Sequence, residues 1–188
     1  MKIIILAAGK GERLWPLTRN TPKSLVHIGN GMTILETQLQ AIARAGVSDV
    51  VIVGGYRVEQ IEAKIRVYRE EMNLNIDVVF NPFFHLSNNL VSLWFAKFAM
   101  EDDFIVVNGD DIFKARVLQG LLEQPRSKEI CAVISEKSAY DDDDMKVRKE
   151  GECLTHISKK IPLDEAAGDE LPGRRVGARG RPPPFGGQ

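Results

Sequence analysis

Apolar residues fall along this chain in short blocks, and their periodicity alternates between that of a buried strand and that of an amphipathic helix. Ile3 to Leu6 is an unbroken run of large, mostly β-branched residues, the composition of a strand covered on both faces. Thr33 and Glu36 have the spacing of a capping box. Behind them Ile34, Leu35, Leu39, Ile42 and Ala43 recur at helical intervals, which predicts a helix from about 34 to 45 stopped by Gly46. Asp49 to Val53 reads as a second strand, and Gly54-Gly55 turns into a helix at about 57 to 71 with Val58, Ile61, Ile65 and Tyr68 on one face. Ile76 to Phe80 is a third strand, followed by a loop from Asn81 to Ser87 and a helix at about 89 to 100. Phe104 to Val107 is a fourth strand, ending at Asn108-Gly109-Asp110-Asp111, and a helix at about 114 to 123 leads to a strand at Ile130 to Ser135. Strand and helix in this alternation predict an α/β domain, a mostly parallel sheet with helices on both faces.

The pattern then changes. Lys146 to Lys149 and Cys153 to Ser158 flank a Glu-Gly-Glu turn and read as an antiparallel pair. Leu171 to Gln188 is dominated by Pro, Gly and Arg, with Val176 and Phe185 its only large apolar residues after Leu171. That composition predicts a disordered tail over 171–188 that supplies no normal strand, so residues 1–170 form a domain with one sheet edge uncovered.

Composition narrows the function classes. A chain of 188 residues, 44% hydrophobic, buries one good core. The opening apolar stretch ends at Ala8 in glycine and charge, too short for a secretory signal, and no membrane span is expected. Cys131 and Cys153 lack metal-ligand spacing and read as reduced packing residues of a cytoplasmic protein. His27, His85 and His156 are scattered and suggest surface or loop histidines rather than a metal cluster. The net charge of −1 is uneven: the tail holds four of the 25 basic residues and no acid, which leaves 21 bases against 26 acids in the body. A mildly acidic body argues against nucleic-acid binding, with RNA binding by the basic tail as the alternative.

The chemistry is concentrated where strands end. Gly9 and Gly11 let the backbone approach a ligand, and amides in such a loop cradle phosphate oxygens. Arg13 adds a planar fork for bidentate phosphate contact, and Lys23, held by the stiff Pro22, adds a compact charge. These residues describe a nucleoside triphosphate site; an ordinary tight turn is the alternative for the two glycines alone. A dinucleotide fingerprint would need a third glycine at Leu14, and a Walker A loop would need Gly-Lys-Ser/Thr, so neither applies. Asp110 and Asp111 follow an apolar strand directly, where a carboxylate can hold Mg²⁺ against phosphate oxygens; a solvated turn is the alternative. Asn88 and Asn89 open a helix near the same sheet edge, a place for an anionic acceptor group. Tyr56, Phe83, Phe84, Trp94 and Tyr140 are the aromatic faces available to a quaternary ammonium, or else packing residues. Asp141 to Asp144 reads as a solvated acidic loop.

The string Leu6-Ala7-Ala8-Gly9-x-Gly11-x-Arg13-Leu14, then Pro16-Leu17-Thr18, then Pro22-Lys23-x-Leu25 resembles the signature of the nucleotidyltransferases that activate sugar phosphates or phosphocholine. The resemblance implies a Rossmann-like sheet of the nucleotide-diphospho-sugar transferase type. It also implies nucleotide contacts at Leu6, Ala7, Ala8, Gly9, Gly11, Arg13 and Lys23, catalysis by Arg13 and Lys23, and Mg²⁺ at Asp110 or, second, Asp111. The segment Asn81-Pro82 to Asn88-Asn89 and Ser92-Leu93 is similar to phosphocholine cytidylyltransferases, as is the Gly55-Tyr56 pair, which implies acceptor binding by Asn88, Asn89 and Tyr56. Asp144-Met145-Lys146-Val147 and Ile157-Ser158-Lys159-Lys160 resemble that subgroup's later segment, with Lys146 and Lys160 as lysines for the phosphates. The implied reaction moves CMP from CTP to phosphocholine and releases pyrophosphate. A sugar phosphate, a polyol phosphate or a phosphonate is the alternative acceptor. The resemblance covers about residues 1 to 170, so the Arg, Gly and Pro ending is expected to be truncated or out-of-frame sequence that leaves the C-terminal part incomplete. A catalytically impaired nucleotide-binding remnant is the alternative to an active enzyme.

Overall fold

In a computed structural model of the chain, residues 1–29, 31–86, 88–124, 130–134, 144–151, 153–165, 168–170 and 176–180 are described, the last two segments as backbone only. Five strands form the main sheet in the order β3-β2-β1-β4-β8, where β1 is Lys2–Ala7, β2 Asp49–Gly54, β3 Asn75–Phe80, β4 Phe104–Asn108 and β8 Val176–Gly180. The first four pair in parallel, and β8 runs antiparallel to β4.

Alternation along β1 explains the layering. Ile3, Ile5 and Ala7 face a large core with α1 (Ile34–Arg44), α2 (Val58–Met72) and α4 (Ala115–Leu122), while Ile4 and Leu6 face a smaller cluster with Val51, Val53, Ala96, Ala99 and Phe104. On that second side lie α3 (Asn89–Phe95) and the short 3₁₀ turn Lys97–Met100. Ile3, Ile4 and Ile5 are wholly buried, as the unbroken apolar run requires. α1 begins with the predicted capping box: the Glu36 amide donates to the Thr33 hydroxyl, and the Glu36 carboxylate accepts from the Thr33 amide. The predicted antiparallel pair is present as β5 (Met145–Glu150) and β6 (Cys153–Ser158), and β7 (Gly168–Glu170) completes a second, three-stranded sheet ordered β6-β5-β7.

Two sequence expectations need correction. Ile130 to Ile134 is not a strand; Cys131 and Val133 instead pack against the large core, and Ser135 lies outside the described residues. The segment after Leu171 does supply a strand, because the backbone of Val176–Gly180 pairs with β4 and closes the edge expected to be open. Residues 171–175 and 181–188 lie outside the described residues. Among the described residues no helix is long and apolar enough to cross a membrane.

Candidate functional site

Strand order 3-2-1-4 places β1 between neighbours that lie to either side, so the chain leaves its carboxyl end beside a crevice against β4. A cavity of about 550 Å³ opens there, lined by the loop after β1, the Lys23 turn, the segment before α3 and the end of β4. That volume suits a small-molecule ligand.

The loop after β1 is set by glycine. Gly11 has φ 67°, a left-handed conformation that side chains disfavour, and a Cβ there would stand 2.9 Å from the Cβ of Lys23. The Gly11 carbonyl accepts from the Leu14 amide at 2.9 Å and from the Thr18 hydroxyl at 2.7 Å, which starts the 3₁₀ turn Glu12–Leu14 carrying Arg13. A Cβ on Gly9 would meet no protein atom within 4 Å, although Gly9 lines the cavity. Space beside that backbone is therefore open to a ligand. The 3₁₀ turn Lys23–Leu25, begun at Pro22, brings Lys23 to the same wall.

Across the crevice, β4 ends in the turn Asn108-Gly109-Asp110-Asp111. The Gly109 amide donates to the Leu6 carbonyl at 2.8 Å, and a Cβ on Gly109 would fall 2.8 Å from the Cα of Ala7, so the two strand ends touch backbone to backbone. That contact brings Asp110 to Lys23. Lys23 Nζ donates to Asp110 Oδ2 in an ion pair that spans 87 positions of sequence, with both side chains about two-thirds buried. Arg13 also lines the cavity and has no ion-pair partner among the described residues. Lys10 and Glu12 form a looser pair at 3.8 Å.

Of the residues singled out in the sequence, Leu6, Ala7, Gly9, Gly11, Arg13, Lys23, Asn89 and Asp110 line the cavity together. Four others stand behind it. Ala8 is buried and gives its carbonyl to the Tyr56 amide at 3.0 Å, while the Tyr56 hydroxyl donates to the Arg19 carbonyl, so Tyr56 braces the loop from outside. Asn88 caps α3 by accepting from the Leu90 amide at 3.0 Å. Asp111 is fully buried, and its Oδ2 accepts from the Asn108 amide at 3.2 Å. Lys146 is buried with Nζ donating to the carbonyl of Lys159 at 2.9 Å, and neither it nor Lys160 lines the cavity.

Among the described aromatic candidates, Phe84 alone lines this cavity, with Tyr56 tilted behind it and the His85 ring at 5.4 Å edge-on. Trp94 lies in a separate apolar groove with Phe83, Phe95 and Phe98 and carries the Lys97 ammonium 4.8 Å above its ring. Tyr140 and Asp141 to Asp143 lie outside the described residues. Sequence reasoning missed His85 and Asn108 as lining residues. Asn108 Oδ1 accepts from Asn89 Nδ2 at 2.9 Å, which ties the start of α3 to the end of β4. Direct succession to an apolar strand was a signal available for Asn108; His85 had none beyond its place in the Asn81 to Ser87 loop.

Residues 2–142 match the family model described as "Nucleotidyl transferase". A choline-phosphate cytidylyltransferase of Streptococcus pneumoniae is 36% identical over 114 residues, 61% of this chain and 47% of that protein. A mannose-1-phosphate guanyltransferase of Schizosaccharomyces pombe is 46% identical over 76 residues, 40% of this chain and 21% of that protein. The chain thus spans about half the length of the first relative and a fifth of the second. Among solved structures, the CTP:phosphocholine cytidylyltransferase of Streptococcus pneumoniae superposes with TM-score 0.64 at 26% identity, covering 93% of this chain and 69% of that one.

Proposed function

Because the chain belongs to the nucleotidyl transferase family, we propose that the crevice between β1 and β4 binds a nucleoside triphosphate and directs an acceptor phosphate oxygen onto its α-phosphorus, releasing pyrophosphate. The observation that carries this reading is the meeting of Lys23 and Asp110 in one cavity, on the loop side and the strand side of the crevice. Gly9 and Gly11 give the phosphates access to backbone, Arg13 offers a guanidinium with no ion-pair partner among the described residues, and Lys23 places a second cation on the same wall. Transfer between phosphate oxygens needs no protein nucleophile. Positioning and neutralisation of the charge that develops on the phosphates supply most of the barrier reduction.

The donor set also fits Mg²⁺. Asp110 offers a hard carboxylate oxygen at the cavity wall, and the described residues hold no group of three His, Cys, Asp or Glu, so the nucleotide and water would complete the shell, as is usual for this ion. Bound there, the ion would supply positive charge next to the phosphates.

CTP and phosphocholine are the substrates we favour, because the 36% identical relative is a choline-phosphate cytidylyltransferase and the 26% identical structure is a CTP:phosphocholine cytidylyltransferase. Phe84 supplies an aromatic face at the cavity for a quaternary ammonium, and Asn89 a polar group beside it. A guanylyl transfer to a sugar 1-phosphate is the second reading, supported by the higher identity of the shorter match to the guanyltransferase. A pyrophosphate-release panel of four nucleoside triphosphates against phosphocholine, mannose 1-phosphate and glucose 1-phosphate separates the two. CTP with phosphocholine is expected to give the highest kcat/KM. Preference for GTP with mannose 1-phosphate would move the assignment to the second reading, and no release with any pair would overturn both.

A further inference from the structure

α1 turns an apolar stripe of Ile34, Leu35, Leu39 and Ile42 into the core, and within that stripe stands one amide, Gln38, which is fully buried. Its Nε2 donates to two main-chain carbonyls, those of Asn108 and Asp111, each at 2.8 Å. Both amide hydrogens are therefore spent on the two ends of the turn whose middle residues are Gly109 and Asp110. Those two inner residues are held less directly. The Gly109 amide reaches Leu6, and the Asp110 side chain meets only Lys23 among the described residues.

Gln38 sits uneasily as a packing residue. Burial of a polar atom without a partner costs about 1–3 kcal/mol, and Gln38 Oε1 has no hydrogen-bond partner among the described residues. An aliphatic side chain of similar length would fill the same stripe without that cost. What the amide alone can do is grip two carbonyls at once.

Resting on the nucleotidyl-transfer reading, we propose that Gln38 is a positioning residue for that site: its two buried hydrogen bonds fix the Asn108 to Asp111 turn so that Asp110 is presented at the cavity beside Lys23. Gln38 is not among the residues that line the cavity and acts through the turn. Its loss weakens only the metal-dependent part of binding, because the glycine loop and Arg13 stand on a different element.

The test is Gln38→Met, which keeps length and apolar fit, with CTP titrated calorimetrically in Mg²⁺ and again in EDTA. Cooperative thermal unfolding is expected to stay at the wild-type value and the EDTA Kd to stay level or fall as Lys23 is released from Asp110, while the Kd in Mg²⁺ rises about 10–100-fold, the range for loss of a group that orients a metal ligand. Mn²⁺ binding to the CTP complex, read by electron paramagnetic resonance, is expected to weaken by the same factor. Should Gln38→Met fail to fold, Gln38→Leu removes both donors with a smaller apolar side chain, and the same split is expected. Equal weakening in Mg²⁺ and EDTA, or no change in either, overturns the positioning role. A wild-type chain whose CTP affinity does not respond to Mg²⁺ overturns the nucleotidyl-transfer reading itself, and this proposal with it.

Discussion

Asp110→Asn should change CTP affinity in opposite directions depending on whether magnesium is present. Without metal, Lys23 must leave Asp110 before it can reach a phosphate, and the Asp110 carboxylate repels the incoming anion. The pair is about two-thirds buried on both sides, close to the exposed limit for which ion pairs contribute about 0.2–1 kcal/mol. Removing it therefore frees Lys23 and tightens metal-free CTP binding by about 1.5- to 5-fold. With Mg²⁺ the same substitution removes the carboxylate that would hold the ion, and the loss should reach at least the about 10–100-fold that follows loss of a supporting group. Paired titrations of wild type and Asp110→Asn, in EDTA and in Mg²⁺ at one ionic strength, read both signs directly. A uniform loss in the two conditions would refute the exchange of partners at Lys23, since a general distortion of the site weakens both alike.

Other substitutions isolate single contributions. Lys23→Ala removes a charge-assisted phosphate contact worth about 1.5–3 kcal/mol and should raise the CTP Kd about 10- to 150-fold, with the melting temperature falling by no more than about 4 °C; an unchanged Kd would remove the lysine from the site. Gly109→Ala puts a Cβ 2.8 Å from the Cα of Ala7, backbone that cannot swing aside, and should cost about 1–3 kcal/mol by denaturant titration; a wild-type midpoint would mean the strand ends can part freely. Burial, then neighbouring carboxylates, raises the Tyr68 phenol above its ordinary 10.0, so the folded state keeps a proton that the unfolded state gives up. That contribution is fully present below pH 10 and is lost as pH rises through the folded value. Tyr68→Phe should flatten this alkaline loss, and an identical pH profile in the variant would refute it.

The parallel core was legible because its signals are local. A capping box needs only Thr33 and Glu36, and a strand buried on both faces announces itself as an unbroken run such as Ile3 to Ile5. The two errors share a cause. β8 joins the sheet through main-chain hydrogen bonds to the free edge of β4, and such pairing needs no side-chain periodicity, so Val-Gly-Ala-Arg-Gly carried no strand pattern to read. Ile130 to Ile134 has the apolar composition of a strand but pairs with none among the described residues; Cys131 and Val133 pack against the large core instead, and Ile130 is exposed. Composition reports a demand for burial; which backbone lies alongside is decided by the rest of the fold.

The site divides in the same way. Gly9, Gly11, Arg13 and Lys23 lie within 15 consecutive residues, so their proximity could be inferred from the chain itself. The pairing of Lys23 with Asp110 could not, because it depends on β1 and β4 being neighbours and on Gly109 allowing their ends to touch. Composition and spacing do not separate Asp110 from Asp111, although the resemblance put Asp110 first; one turn sends the first carboxylate to the cavity wall and the second back to the Asn108 amide. Tyr56 and Asn88 were singled out for an acceptor, and the fold uses both as supports, one for the loop after β1 and one for the start of α3. Gln38 was overlooked in the sequence, although a signal for it was present. It occupies the buried stripe of an amphipathic helix where each neighbour is aliphatic, and a lone amide in that position implies something across the core that requires its two donors.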